Sequence, residues 1–220
     1  MSYVKLKAPW LEFDLGEDMQ ALSWSINAPG FARASRLLWR EVRNRDLPEG
    51  VDVQQWINAE LVRCYSEDAV VMLTSRDITR YEARTASVDG VTVEAVATVG
   101  LSNGERVGHR VDYSGRDWGT INVGLGISEG MTQAGLLEAM SIAVQARTAA
   151  VMDAGFRVPT GVATGTGTDC VAVAAPEGDR LYAGLHTAIG EAVGRAVYDA
   201  VRAGADKWID ETEERQRARA

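Results

Sequence analysis

Residues 161–174 read Gly-Val-Ala-Thr-Gly-Thr-Gly-Thr-Asp-Cys-Val-Ala-Val-Ala, a glycine-rich loop that opens onto an apolar strand. That order restricts the fold. Glycine loops that cradle nucleotide phosphates deliver the chain into a helix N-terminus, where unpaired N–H groups meet the anion. Here Gly165 and Gly167 lack the third glycine of the dinucleotide fingerprint, and a strand follows. No Gly-Lys-Ser/Thr completes a phosphate loop. Gly124-Leu-Gly126 fails the dinucleotide test in the same way. What the segment does offer is hydroxyls. Thr164, Thr166 and Thr168 alternate with glycines that let a backbone approach a ligand closely, and Asp169 adds an acceptor at the strand entrance. The structural alternative is a tight loop whose threonines satisfy their own backbone.

Hydrophobic periodicity places elements around this loop. Leu11–Leu15 and Ala21–Ile26 alternate apolar and polar residues, and Gly16–Met19 between them reads as a hairpin connection. Phe31–Val42 has apolar residues at near-helical spacing and an arginine-rich polar side, which predicts a helix. Val53–Tyr65 predicts another. Ala69–Thr74 is a continuous apolar run, the mark of a buried strand. Strands near 81–88 and 91–99 flank Asp89-Gly90, a hairpin signal. Leu101–Arg116 reads as a loop facing the site, and Gly119–Ile127 as a strand. Helices follow at Thr132–Ala154 and His186–Trp208, separated by a loop over 155–167, a strand over 170–175 and a turn at Pro176–Asp179. Hairpins outnumber strict βαβ alternation, so the fold class expected is α+β, one domain over residues 1–220, with a mixed, largely antiparallel sheet covered by helices. Residues 210–220 form a charged tail.

The chain has 220 residues, 46% hydrophobic, enough for one sizeable core, and a formal charge of −8. An acidic surface speaks against sequence-independent nucleic-acid binding and against a polybasic membrane anchor. No apolar run reaches membrane-spanning length and no signal peptide is visible, so a cytoplasmic protein is expected. Two histidines and two cysteines, all dispersed, give no expectation of a metal site.

His186 lies where the last long helix begins. The field of a helix N-terminus favours a neutral, proton-accepting imidazole there, and Thr187 can cap the helix. The plain alternative is a cap histidine with no chemistry. Glu191 falls in the first turns, where a carboxylate suits the dipole. Asn103 and Asn122 follow strand-like segments and either close turns or offer amides to a carbonyl. On the helix 132–154, Glu138, Ser141, Gln145 and Thr148 recur at steps of three or four, as on a solvated face.

TGTGTD at 164–169, followed by a small-apolar strand and by YAGLHTAIGEAVGRAVYDAV at 182–201, resembles the adenosylcobinamide amidohydrolase family. Val96–Asn103 and Gly119–Val123 fit the same pattern in the same order, so the resemblance spans roughly residues 11–208. It implies hydrolysis of the amide that joins a corrin ring to its aminopropanol arm, giving adenosylcobyric acid and aminopropanol. The corrinoid is then the small-molecule substrate and no cofactor is implied. Carried onto this sequence, the resemblance gives His186, Asp169, Thr168 and Thr166 as catalytic candidates. Thr164, Gly165, Gly167, Asn103, Asn122, Thr187 and Glu191 become candidates for holding substrate. His186 or Asp169 would act as base on water or on a threonine hydroxyl. The family pattern has glutamate at the position of Gln145 and lysine at that of Arg147. A neutral amide cannot serve as a base, so no carboxylate role carries over at Gln145. Two other readings stay open: a non-catalytic corrinoid or small-ligand binding protein, and an amidohydrolase for a different amide. A homo-oligomer is compatible with either.

Overall fold

The computed structural model describes residues 2–64, 68–112 and 118–218. Its spine is a pair of long antiparallel strands, β2 (Trp10–Trp24) and β3 (Pro29–Glu41), with β1 (Tyr3–Lys7) lying along the first half of β2. The predicted helix over 31–42 is therefore a strand. Leu37 and Trp39 point into one core and Leu38 into another. A strand buried on both faces loses its period-2 signature, and the leftover spacing imitates a helix. The predicted hairpin at Gly16–Met19 is also corrected. β2 runs straight through it, and the register slips between Asp14↔Arg36 and Met19↔Ala34, so Leu15–Asp18 bulge opposite Ser35 alone. Gly16 takes φ +82° there, and its N–H is held by Asp14 Oδ1 at 2.7 Å.

α1 (Val53–Cys64) crosses from β3 to the parallel strand β4 (Ala69–Thr74). Tyr65, which closed the predicted helix, lies outside the described residues. β5 (Glu82–Val88) and β6 (Val91–Val99) form the predicted hairpin. Asp89 and Gly90 both have positive φ, +48° and +88°, as a two-residue primed turn requires. β8 (Ile121–Ile127) pairs with β6 and, in parallel, with β12 (Cys170–Ala175), which closes back onto β2. The order is β4-β3-β2-β12-β8-β6-β5. Among the described residues, five antiparallel and two parallel pairings make it a mixed sheet, and the edges β4 and β5 do not pair. The segments read as loops hold small ladders of their own. β7 (Gly104–Glu105) pairs with β11 (Gly165–Thr166), and β9 (Arg157–Val158) pairs with β10 (Gly161–Val162). Tyr113–Asp117, inside the predicted loop 101–116, lie outside the described residues.

Two long helices cover one face. α2 (Gln133–Ala154) is capped by the Thr132 hydroxyl at Gly135 N–H and ends at Gly155 in the left-handed conformation. α3 (Ala188–Arg217) runs past Trp208 and takes most of the charged tail into the helix. Their apolar sides meet Val93, Ala95, Ala97 and Val99 of β6, the odd positions of β8, and Val171 and Val173 of β12. The even positions of β8 face the other way, onto β2 and β3. A Cβ at Gly124 would lie 2.7 Å from the Trp39 ring. The sheet thus brings β3 and β4 over β8 and β12 around Phe13, Leu37, Trp39 and Met72. Trp39 Nε1 donates to Asn122 O at 3.3 Å, and Asn122 Nδ2 donates to Leu73 O at 2.7 Å, which ties the two halves together. α1 covers the outer side of β3 and β4 through Ile57 and Leu61.

Candidate active site

Where the sheet folds over, the C-terminal end of β4 faces the N-terminal ends of β8 and β12. A cavity of about 1380 Å³ opens between them, with Thr168, Asp169, Thr120, Asn122, Ser75 and Arg76 in its wall. Trp24, Trp118 and Trp208 also line it. Trp24 Nε1 donates to Asp169 O at 2.7 Å, so one ring is fixed directly to the entrance of β12.

Asp169 organises the loop. Its Oδ1 accepts the Ile121 N–H at 3.0 Å and the Thr166 hydroxyl, and its Oδ2 accepts the Thr166 N–H at 3.0 Å and pairs with Arg147 Nη1. Burial pushes the carboxyl above its ordinary range, while Arg147, the two Thr166 donors and the Ile121 N–H pull the other way. With four donors on its two oxygens, Asp169 has no lone pair left to act as a base; it positions the loop. Gly165 makes room for the pair, since a Cβ there would lie 2.0 Å from Arg147 Nη1 and 2.6 Å from Asp169 Oδ2.

Thr168 is exposed and donates its hydroxyl hydrogen to Gly119 O at 2.8 Å, which leaves oxygen lone pairs for a ligand. Thr168 O in turn accepts the Thr120 hydroxyl at 2.8 Å. Asn103 is buried and its Oδ1 accepts the Gly119 N–H at 3.0 Å, which fixes the amide orientation. Its Nδ2 is 3.8 Å from where a Cβ on Gly167 would be, and it has no hydrogen-bond partner among the described residues. Gly119 itself must lack a side chain, because a Cβ would meet Gly100 O at 2.6 Å and Ser102 N at 2.7 Å. The Cys170 thiol, next along β12, is pushed up to about 12 by burial and by the neighbouring Asp169 charge.

Thr164, Gly165 and Thr166 turn to the far side of the Arg147–Asp169 pair. There they line a second cavity of about 600 Å³ with Arg106 and His109. Thr164 Oγ1 accepts the Val107 N–H at 2.8 Å, and Thr164 N–H donates to Glu105 O at 2.8 Å. Asn122 reaches the large cavity, but its side chain is engaged by Leu73 O and by Thr120. Among the described residues no three His, Cys, Asp or Glu side chains come together as a metal-ligand set.

His186, Thr187 and Glu191 do not join this group. Asp169 precedes β12, whereas His186 follows the turn beyond its far end. Arg147 of α2 reaches Asp169, but Glu138, about 14 Å earlier along the same helix, receives the Ala183 N–H. His186 is exposed and lines none of the three cavities described for the molecule. Thr187 caps α3 by accepting the Gly190 N–H at 2.9 Å, and Glu191 pairs with Arg195 at 2.8 Å. Leu181, Tyr182 and Leu185, just before them in the chain, are exposed.

The sequence analysis gave no role to Arg147, Thr120, Ser75 or Arg76. For Arg147 a signal existed. It is the only basic residue in α2, a helix that otherwise carries only Glu138 and Asp153 as charges. A lone cation on such a helix calls for a carboxylate from elsewhere in the fold.

A family model described as CbiZ, adenosylcobinamide amidohydrolase, matches residues 2–213. No curated protein matches the chain. Among solved structures, the PH0078 protein from Pyrococcus horikoshii OT3 is similar at 10% identity, over 92% of this chain and 82% of that one, with a TM-score of 0.48. No helix among the described residues is long and apolar enough to cross a membrane.

Proposed function

This chain belongs to the adenosylcobinamide amidohydrolase family, and we propose that it hydrolyses the aminopropanol amide of adenosylcobinamide in the large cavity beside Thr168. The corrinoid is the substrate. Water oxygen joins the amide carbonyl carbon, the C–N bond breaks, and a proton passes to the departing amine, leaving adenosylcobyric acid and aminopropanol. In this reading the Thr168 hydroxyl oxygen accepts a hydrogen bond from the attacking water, or itself attacks, its proton passing to the departing amine and water then cleaving the acyl-threonine ester. The Asn103 amide donates to the carbonyl oxygen as charge develops there. Asp169 and Arg147 hold the loop in place. Asn122, Thr120 and the tryptophans shape the wall against the macrocycle. The product belongs to a salvage step that returns an incomplete corrinoid to assembly of the complete one.

The single observation that carries the proposal is the coincidence of Thr168, the loop threonine that reaches the large cavity, with a space of about 1380 Å³. Ordinary small-molecule sites occupy about 300–1,000 Å³, so the volume suits a ligand the size of a corrin. Purified protein incubated with adenosylcobinamide should release adenosylcobyric acid and aminopropanol, separable by chromatography. Binding without release would leave the corrinoid-binding reading, and release of amine from another amide alone would leave the different-substrate reading.

A second reading has one observation behind it. His186 follows the exposed apolar residues Leu181, Tyr182 and Leu185 just before the start of α3. A macrocycle laid on that surface would bring its amide to the imidazole, with Thr187 and Glu191 nearby.

A further inference from the structure

The six tryptophans divide into two groups. Four have partners within the fold. Trp10 and Trp56 take the Arg40 guanidinium at 5.5 and 5.2 Å from their ring centroids. Trp39 is fully buried against Gly124, and Trp208 is buried and meets Phe156 edge-on at 5.2 Å. The other two, Trp24 and Trp118, are 47% and 61% exposed, and both line the large cavity. Neither is left to swing freely. Trp24 commits its one polar group to the protein, Nε1 donating to Asp169 O at 2.7 Å, so the ring is held in one orientation and offers a ligand only apolar surface. Trp118 is held through its main chain, where its carbonyl oxygen accepts the Ser75 hydroxyl at 2.7 Å. Thr168 lies between these anchors. Its main chain leads into Asp169, and its hydroxyl bonds to Gly119 O, next to Trp118. Each tryptophan is thus tied within one residue of the Thr168–Gly119 hydrogen bond. Ile26, also exposed, extends the apolar wall. Apolar area left in water is unfavourable, and a ligand that covers it recovers that free energy.

We propose that Trp24 and Trp118 form the platform that holds the macrocycle of the corrinoid, each ring packing on its flat apolar surface while the amide arm reaches Thr168. The assignment rests on the functional reading above for the identity of the ligand, and it specifies which side chains select that ligand. The two rings touch the body of the ligand and not the amide. They therefore bind substrate and transition state alike, and their loss raises KM without lowering kcat. Trp208 borders the same cavity but is already packed against Phe156 and has no part in the platform.

Equilibrium dialysis with adenosylcobyric acid, followed by the absorbance of the corrin, tests this without turnover, because that ligand has no aminopropanol amide to cleave. Saturable binding to the wild-type protein is expected. Trp24→Ala and Trp118→Ala should each weaken it by about tenfold, the scale of removing one stacked aromatic partner. Both side chains are exposed, so the truncations leave the core intact. Trp24→Phe loses the bond to Asp169 O but keeps a ring, and should stay within about threefold of wild type. A Trp24 that served only to brace Asp169 would make the Phe and Ala variants equally poor. Tyr3→Ala removes another exposed aromatic residue, one on β1 that lines none of the three cavities described, and should leave binding unchanged. No saturable binding, undiminished binding in either tryptophan-to-alanine variant, or Trp24→Phe as weak as Trp24→Ala would each overturn the platform. With adenosylcobinamide as substrate, the same alanine variants should raise KM about tenfold and keep kcat within about twofold; a loss confined to kcat would also overturn it. Binding that depends on both rings with no cleavage strikes the hydrolysis alone, and cleavage with binding indifferent to the rings strikes the platform alone.

Discussion

Gly165→Ala separates an organising role for the Arg147–Asp169 pair from a decorative one. The new methyl would lie 2.0 Å from Arg147 Nη1 and 2.6 Å from Asp169 Oδ2, so one partner must leave. Both side chains are largely buried, 13% and 7% exposed, so solvent does little to compensate. Breaking a buried pair by removing a partner costs about 3–5 kcal/mol. Asp169 keeps its bonds from Thr166 and Ile121, which sets the expected loss near the lower end, about 3 kcal/mol. At about 2–4 °C per kcal/mol for a protein of this size, the melting temperature should fall by about 6–12 °C. Gly167→Ala is the internal control. Its Cβ meets nothing closer than Asn103 Nδ2 at 3.8 Å, so its stability should change by less than about 0.5 kcal/mol. Thermal or urea denaturation of the two variants beside wild type reads the difference. A Gly165→Ala protein as stable as Gly167→Ala would refute the claim that this pair holds the loop.

Two further outcomes follow from the packing. Gly124→Ala places a methyl 2.7 Å from the Trp39 ring and 3.0 Å from Leu37, which should cost about 1–3 kcal/mol by overpacking and be visible in urea unfolding. Ellman's reagent at pH 8 should titrate the exposed Cys64 quickly and Cys170 only after denaturation. A thiol pushed up to about 12 holds about a thousandfold less thiolate at that pH than an ordinary cysteine. Two fast thiols in the native protein would contradict the burial of Cys170.

The hairpin of β5 and β6, the helices α1, α2 and α3, and the strands β4, β8 and β12 were legible because each carries its own local signal: a primed-turn pair, a cap, a helical stripe, an apolar run. β3 was not, because Leu37, Leu38 and Trp39 are buried on two faces and the alternation that marks a strand is gone. The bulge at Leu15–Asp18 used the residues of a turn to insert extra chain into one strand, and local composition does not distinguish the two uses. At the site, the threonines and Asp169 announced themselves by density. The partner of Asp169 did not, since Arg147 is 22 residues away in sequence and only the packing of α2 against β11 and β12 brings it in. The expected meeting of His186 with the threonine loop failed for a topological reason. A strand lies between them in the chain, and the two segments leave it at opposite ends.

Turnover of adenosylcobinamide by Thr168→Ala and His186→Ala, measured side by side, tests the placement of the reaction most directly. Chemistry in the large cavity predicts a fall of about 10²–10³ in Thr168→Ala, the scale of a lost transition-state contact, and near wild-type turnover in His186→Ala. A silent Thr168→Ala with a crippled His186→Ala would move the reaction to the start of α3.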